Sequence, residues 1–305
     1  IDYYVQSHYH ADHCGLLTIL TENPTWIDIN EATVFLPMLL TAENTAHLSE
    51  SADILQRQSE LIAELEANDC TIIRPTEGQT VEFSDGYFRL KFYNTDHSVY
   101  ADAEGDYYSA NYNDYSLCCN LECGYNVINF SADIGPIGQR KVAGTLPKAS
   151  ILTAPHHGWD NGANNLYPAY INNVNPDVVI SLNGWEHNPD NTDSPANIML
   201  NTSAMQSYCE SNATPNYCTF ENGRIDITMD KYRWKFDGNY SKFIRNGKNW
   251  KFDDNTDKQE NYCNYGLMCN ADELDSYLHA LELDKYKDLS VIPYLLGGYE
   301  LPNYK

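Results

Sequence analysis

Short apolar runs, each closed by a polar or turn-forming cluster, recur along most of this chain. Tyr3-Tyr4-Val5 reads as the end of a buried strand. Leu16, Leu17, Ile19 and Leu20 predict a helix soon after it. Leu48, Ala52, Leu55, Ile62 and Leu65 trace an amphipathic helix with one apolar stripe. Thr71-Ile72-Ile73 is a short strand. Thr80 to Phe83 and Tyr87 to Tyr93 alternate about Ser84-Asp85-Gly86, a hairpin pattern. Tyr100 to Asp114 is rich in Tyr, Asp and Asn and reads as a surface loop. Ser116 to Cys123 and Tyr125 to Phe130 form a second hairpin about Gly124.

Ile151 to Thr153 and Val178 to Leu182 are further strands, and Ala196 to Cys209 has helical character. Tyr217 to Phe220 and Arg224 to Met229 read as a closing hairpin about Asn222-Gly223. Beyond about Tyr232 the composition shifts to Trp, Lys, Asn and Asp. Two parts are therefore expected: a domain over residues 1–231, and an appendage over 232–305 with short strands and one helix near Ala271 to Leu283. Trp234, Phe236, Trp250 and Phe252 alternate as strand core residues do.

The bulk numbers change this picture in one respect. With 305 residues the chain can bury a full core, but its 19 Lys+Arg face 43 Asp+Glu, a formal charge of -24. Nucleic-acid binders normally carry a basic face, so the charge disfavours nucleic acid as a partner. No apolar run is long enough to span a bilayer. Nine cysteines leave at least one without an intrachain partner. Cys209/Cys218 and Cys263/Cys269 are spaced to close small loops, and glycosylation-type sequons stand at Asn129, Asn201, Asn212 and Asn239. These features point to an extracellular or cell-surface protein.

The chemistry lies where the strands stop. After the first strand come His8, His10, Asp12 and His13. Asp133 follows Tyr125 to Phe130, His156 and His157 follow Ile151 to Thr153, and His187 follows Val178 to Leu182. Strands of one sheet place their ends along one edge, so these residues are expected to converge. Imidazole and carboxylate are the ligands that zinc and similar divalent metals take.

This ordered set resembles the metallo-β-lactamase superfamily: His-x-His-x-Asp-His at His8, His10, Asp12 and His13, a strand-end Asp133, and a late histidine at His156 or His157. Finer stretches are similar to the hydrolase domain of competence-type DNA-uptake proteins and to bacterial phosphorylcholine esterases. They are Asn113-Asp114-Tyr115-Ser116-Leu117, Phe130-Ser131-Ala132-Asp133, Ala154-Pro155-His156-His157-Gly158, and Ser181-Leu182-Asn183 leading to His187. The resemblance implies an α/β fold, the αββα sandwich of the superfamily. Its first motif normally follows several strands, so the chain is expected to lack the N-terminal strands of that fold. It also implies two divalent ions, zinc foremost, with manganese or iron as alternatives. His8 and His10 would hold one, Asp12, His13 and His157 the other, and Asp133 would bridge them. His97 is the one candidate for the mid-chain histidine of the lactamases.

The implied activity is metal-dependent hydrolysis of a phosphate ester, small or surface-anchored, by metal-activated water. Asp12, His156 and His187 are the candidate catalytic residues. Asn113, Ser116, His156 and His187 are the candidate substrate contacts. Alternatives are a DNA nuclease of the competence type, for which Arg140, Lys141 and Lys148 are the nearest basic cluster, and a non-catalytic secreted binding protein on the same scaffold.

Overall fold

The computed structural model describes residues 1–83, 86–95, 100–102, 105–107, 111–158, 166–182, 204–218, 225–229, 234–238, 243–246 and 249–252. Four layers account for most of them. Strands β1 (Tyr3–Val5), β2 (Thr33–Phe35) and β3 (Thr71–Ile73) form a parallel sheet with β2 in the middle. Helices α1 (Gly15–Glu22) and α2 (Ser51–Ala67) cover its outer face. Alternation along the strands explains the layering. Tyr4, Val34 and Ile72 share one register and pack with Leu17, Leu20, Ile54, Leu61 and Leu65 of the helices. Val5, Phe35 and Ile73 share the next register and turn the other way, onto the second sheet.

That second sheet has seven strands. It is built from β4 (Thr80–Phe83), β5 (Phe88–Tyr93), β8 (Cys118–Cys123), β9 (Asn126–Phe130), β10 (Ile151–Thr153), β11 (Val178–Ser181) and β12 (Asn216–Cys218). Between β5 and β8 the short hairpin β6 (Tyr100–Asp102) and β7 (Gly105–Tyr107) stands apart. The β4/β5 and β8/β9 hairpins read from alternation are present. From β9 to β12 all pairings are parallel. Leu90, Phe92 and Cys119 meet Phe35 and Val5 between the sheets. On the far face, Cys118, Leu152 and Val179 pack with helices α3 (Pro136–Val142), α4 (Pro168–Val174) and α5 (Ala204–Asn212). The result is an αββα sandwich, the architecture expected.

Four expectations need correction. The closing hairpin does not form: β12 pairs in parallel with β11, and β13 (Ile225–Met229) pairs instead with β14 (Trp234–Gly238). Asn216 and Tyr217 are buried and complete the large sheet, leaving β13 to find a later partner. The stripe of the long helix centres on Ile54, Gln58, Leu61 and Leu65, with the predicted Leu55 and Ile62 half-buried beside it, while Ala52 is exposed and Leu48 lies before the helix. Tyr112 to Asp114, expected in a surface loop, belong with Tyr115 to a fully buried 3₁₀ turn. Asn129 is buried and bonds Asn120 Oδ1 at 2.6 Å, which removes it as an acceptor for a surface sugar.

In the tail, Trp234 is buried against Ile128, Ile151, Val178, Ile180 and Tyr217. A last hairpin joins β15 (Phe243–Asn246) to β16 (Asn249–Phe252). The helix expected near Ala271 lies outside the described residues. Among the described residues no helix is long and apolar enough to cross a membrane. Cys14, Cys70, Cys118 and Cys119 are free thiols.

Candidate metal centre

The chain leaves β1 through Gln6, which is buried and organises the loop beyond it. Its Nε2 donates to the carbonyl of His8 and, at 3.0 Å, to that of His13. One amide thus ties the loop at both ends. Tyr4 Oη donates to Gln6 Oε1 at 3.0 Å and fixes the amide's orientation. From beneath, Arg57 of α2 donates to Tyr9 O at 3.2 Å. Tyr9 N donates to Tyr112 Oη at 3.3 Å. With Tyr9 wholly buried, His8 and His10 are held on either side of it. A 3₁₀ turn over Ala11–His13 then presents Asp12 and His13 before α1 begins.

Asp133 arrives from the other sheet. At the end of β9, Ser131 N donates to Thr153 Oγ1 at 3.0 Å and Ile134 N to Ser131 O at 3.2 Å, closing a turn. Ala132 in that turn has φ +48°. Its carbonyl accepts from His156 N at 3.0 Å, which joins the Asp133 turn to the Pro155–Gly158 turn. His156 and His157 have φ of +50° and +58°. Such angles are costly for side chains with a Cβ and persist where the surroundings demand them. In an extended segment adjacent side chains point apart. Here the left-handed pair turns both rings toward Asp133.

The donor atoms then fall into two groups. In the first, His8 Nε2 lies 3.1 Å from His10 Nδ1 and 3.8 Å from Asp133 Oδ2. In the second, His13 Nε2 lies 3.1 Å from Asp133 Oδ1, 3.7 Å from Asp12 Oδ2 and 3.3 Å from His157 Nε2. His157 Nε2 lies 3.4 Å from Asp12 Oδ2 and 3.5 Å from Asp133 Oδ1. Within each group all donor atoms are within 4.8 Å of one another. His156 Nε2 stands 3.8 Å from Asp133 Oδ2, the oxygen that His8 also faces.

The opposite ring nitrogens of His8, His13 and His157 are occupied. Ser7 Oγ lies 3.1 Å from His8 Nδ1 and 3.4 Å from His13 Nδ1. His157 Nδ1 donates to Leu182 O at 2.7 Å. His10 Nε2 lies 3.1 Å from Glu50 Oε1, a contact of distance that lacks hydrogen-bond direction. Outer partners of this kind fix ring orientation and tautomer in metal sites.

Burial holds the His8 imidazole well below its usual range, outweighing the pull of Asp133. Burial pushes the Asp133 carboxyl up, but the His13 hydrogen bond and the imidazoles of His8 and His157 outweigh it and hold it below the usual range. The hydrogen bond from His157, against the opposing effect of burial, brings Asp12 down to about 2. Burial lowers the His157 pKa, but Asp12 and Asp133 more than reverse this and raise it. Imidazole nitrogens converge with carboxylates held below their usual range on two small volumes. This donor set fits two borderline divalent cations.

The other expected site residues are placed differently. Asn113 and Ser116 are buried, and neither Asn113 Oδ1 nor Ser116 Oγ has a hydrogen-bond partner. No hydrogen bond joins them to the His/Asp cluster among the described residues. His187 and His97 lie outside the described residues. Lys148 is neutralised by Asp177 at 2.7 Å, which weakens the nearby basic cluster. The supports Gln6, Ser7, Glu50, Arg57 and Tyr112 were not singled out in the sequence. Only the adjacency of Gln6 and Ser7 to the motif was there to mark any of them.

No protein-family model and no curated protein matches the chain. Among solved structures it is similar to CmlA, a diiron β-hydroxylase from Streptomyces venezuelae, at 13% identity and a TM-score of 0.35, over 59% of this chain and 35% of that one. It is similar to the metallo-β-lactamase fold protein YhfI from Bacillus subtilis at 14% identity and a TM-score of 0.32, over 59% of this chain and 63% of that one. It is similar to Zn²⁺-bound PqqB from Methylobacterium extorquens at 14% identity and a TM-score of 0.27, over 50% and 45%. The chain thus spans less than two thirds of each, and superpositions this loose carry no function across.

Proposed function

We propose that this chain is a metal-dependent hydrolase of phosphate esters with a dinuclear centre. One observation carries the proposal: the two oxygens of Asp133 face different donor groups. Oδ2 faces His8 and Oδ1 faces His13 and His157. A single carboxylate set between two clusters of imidazole and carboxylate is the arrangement that a pair of cations needs.

His8, His10 and Asp133 would hold one ion, and Asp12, His13, His157 and Asp133 the other. Two such ions, when bound, supply Lewis-acid stabilisation of phosphoryl oxygens and a water acidic enough to attack near neutral pH. The protein's own residues do the rest. Gln6 holds the loop that carries the ligands, and Ser7 and Leu182 O keep the rings of His8, His13 and His157 in one orientation. Asp133 spaces the two groups. His156, with Nε2 directed at the same carboxylate, can donate to the oxygen of the departing alcohol.

The acidic chain and the pairing of Lys148 with Asp177 favour a small or surface-anchored ester over a nucleic-acid strand. Metal analysis after loading with zinc, manganese or iron should find two ions per chain. Activity should appear on bis-p-nitrophenyl phosphate or p-nitrophenyl phosphorylcholine and be weaker on single-stranded DNA. A chain that binds no metal after loading is not this enzyme. A preference for DNA would move the assignment to the nuclease alternative.

A further inference from the structure

Three of the four ligand imidazoles meet a neutral oxygen at the nitrogen that faces away from the centre. His8 and His13 meet Ser7 Oγ, and His157 meets the carbonyl of Leu182. His10 differs. Its Nδ1 turns toward His8 Nε2 at 3.1 Å, so Nε2 is its outer nitrogen, and there it meets a carboxylate, Glu50 Oε1 at 3.1 Å. The pair lacks hydrogen-bond direction in this structure. The Glu50 side chain is 41% exposed, so it can reorient without repacking.

The two donor groups are unequal in a way that gives this carboxylate a task. Asp12, His13, Asp133 and His157 bring four donors, two of them carboxylates. His8, His10 and Asp133 bring three, and their one carboxylate is shared. A divalent cation would therefore meet less negative charge at the three-donor group. A carboxylate that accepts the outer N–H of a ligating histidine makes the ring more basic and fixes its tautomer, without taking a coordination position. Glu50 is free for this: it is the N-cap residue of α2, yet its side chain makes no capping hydrogen bond.

We propose that Glu50 is a positioning residue for His10, and that through it the His8/His10/Asp133 group gains the negative charge that Asp12 gives directly to the other group. The inference rests on the two-ion reading of the centre and adds a residue to it. It also sets Glu50 apart from Ser7. Ser7 reaches rings of both groups, whereas Glu50 reaches a ring of one. The competing role is helical, since a carboxylate at a helix start is favourable with no ligand ring beside it.

Calorimetric titration of the unaltered chain with zinc should show two binding events, and His10→Ala identifies the one that needs His10. Glu50→Ala should weaken that event about tenfold and leave the other within about twofold, the lower end of the range for outer partners because the carboxylate is half-exposed. Glu50→Gln keeps an acceptor oxygen without the charge. Charge-assisted hydrogen bonds are roughly twice as strong as neutral ones, so this variant should lose only about threefold. In the zinc-loaded chain the ¹⁵N shift of His10 Nε2 should move in Glu50→Ala, while the ring shifts of His13 and His157 stay. Equal weakening of both events, or no weakening with an unmoved His10 shift, overturns the proposal and leaves the two-ion centre standing. A lowered Tm in Glu50→Ala with the His10 event unchanged gives Glu50 the helical role alone and overturns it too. An unaltered chain that takes up no zinc removes both the proposal and the centre.

Discussion

His13 Nε2 and His157 Nε2 stand 3.3 Å apart, although 144 positions separate the two residues in the chain. The second nitrogen of each ring is already engaged, by Ser7 Oγ and by Leu182 O. Asp133 Oδ1 and Asp12 Oδ2 close in beside the same point. Two imidazole nitrogens aimed at each other between carboxylates need a cation or a shared proton between them. The two protein layers, one carrying His13 and the other His157, are therefore joined electrostatically at the place where the chemistry is expected.

Replacing His157 should remove one ion and not the other. His157→Ala is expected to lower the metal content from two per chain to one, whereas Asp133→Ala should lower it below one, because both groups share that carboxylate. Supporting residues around a metal are worth about 10–100-fold in affinity or activity, so loss of the ligand itself should cost on the order of 100-fold or more in hydrolysis. Mass-spectrometric metal analysis and initial rates check this. Full activity in Asp133→Ala would refute the bridging role.

Ser7 reaches ligand rings of both groups with one hydroxyl. If both rings present Nε2 to metal, both Nδ1 atoms carry hydrogen, and one hydroxyl oxygen with two lone pairs can accept from both. Ser7→Ala leaves both donors without this acceptor. It should weaken metal binding by about 10–100-fold at both positions, while Ser7→Thr, which keeps the hydroxyl, should restore most of it. Titration calorimetry with zinc gives the affinities, and ¹⁵N shifts of the ring nitrogens report the tautomers. Unchanged affinity and unchanged shifts in Ser7→Ala would show the hydroxyl to be incidental.

Acid should destabilise the metal-free chain in a definite window. Burial keeps the folded His8 pKa well below its unfolded value of about 6.5, so below that pH the unfolded chain takes up a proton that the folded one refuses. Asp133 acts in the same direction lower down: its depressed pKa gives stability present above about 4 and lost as pH falls further. His157 has the opposite sign, since its raised pKa adds stability as pH falls toward about 6.5 and adds nothing more below. The Tm measured in chelator should therefore fall from about pH 6.5 downward. A His8→Asn variant should show a shallower fall over the upper part of that range. A Tm that rises on acidification below about 6.5 would contradict this balance.

The strand-end placement of His8, Asp133 and His156 was visible from apolar runs, but the expectation that one sheet edge gathers them needs correction: His8 follows a strand of the three-stranded sheet, and Asp133 and His156 follow strands of the seven-stranded one. The two hairpins were visible because alternation has a period that no helix shares. Other features had no local signature. β2 is three residues long, and only its pairing between β1 and β3 identifies it. α3 and α4 are seven residues each and take their stability from packing on the sheet. Tyr112 to Asp114 read as polar surface because tyrosine and asparagine suit a loop as well as they suit a packed support. That His156 and His157 both turn inward depends on two left-handed residues in succession, which sequence spacing does not reveal.

Asp114 and Gly138 illustrate such a hidden dependence and give a last test. The Asp114 carboxylate accepts from Ile137 N at 3.0 Å and Gly138 N at 3.1 Å, which caps α3 just beyond Asp133. Removing this buried acceptor in Asp114→Ala should cost about 1–3 kcal/mol, the penalty of orphaned buried donors. At Gly138 a Cβ would come within 2.6 Å of Asp114 O and of Ile134 Cγ1. Backbone cannot yield as a flexible side chain can, so Gly138→Ala should cost about 1–3 kcal/mol as well. Gly144, in the turn just past the end of the same helix, has nothing within 4 Å of its Cβ direction, so Gly144→Ala should be neutral or slightly stabilising. Denaturant melts of the three variants separate these outcomes. Because Ile134 adjoins Asp133, the two destabilised variants should also bind metal more weakly, whereas Gly144→Ala should bind it normally. Weakened binding in Gly144→Ala, or normal stability in Gly138→Ala, would show that α3 does not brace the bridging carboxylate.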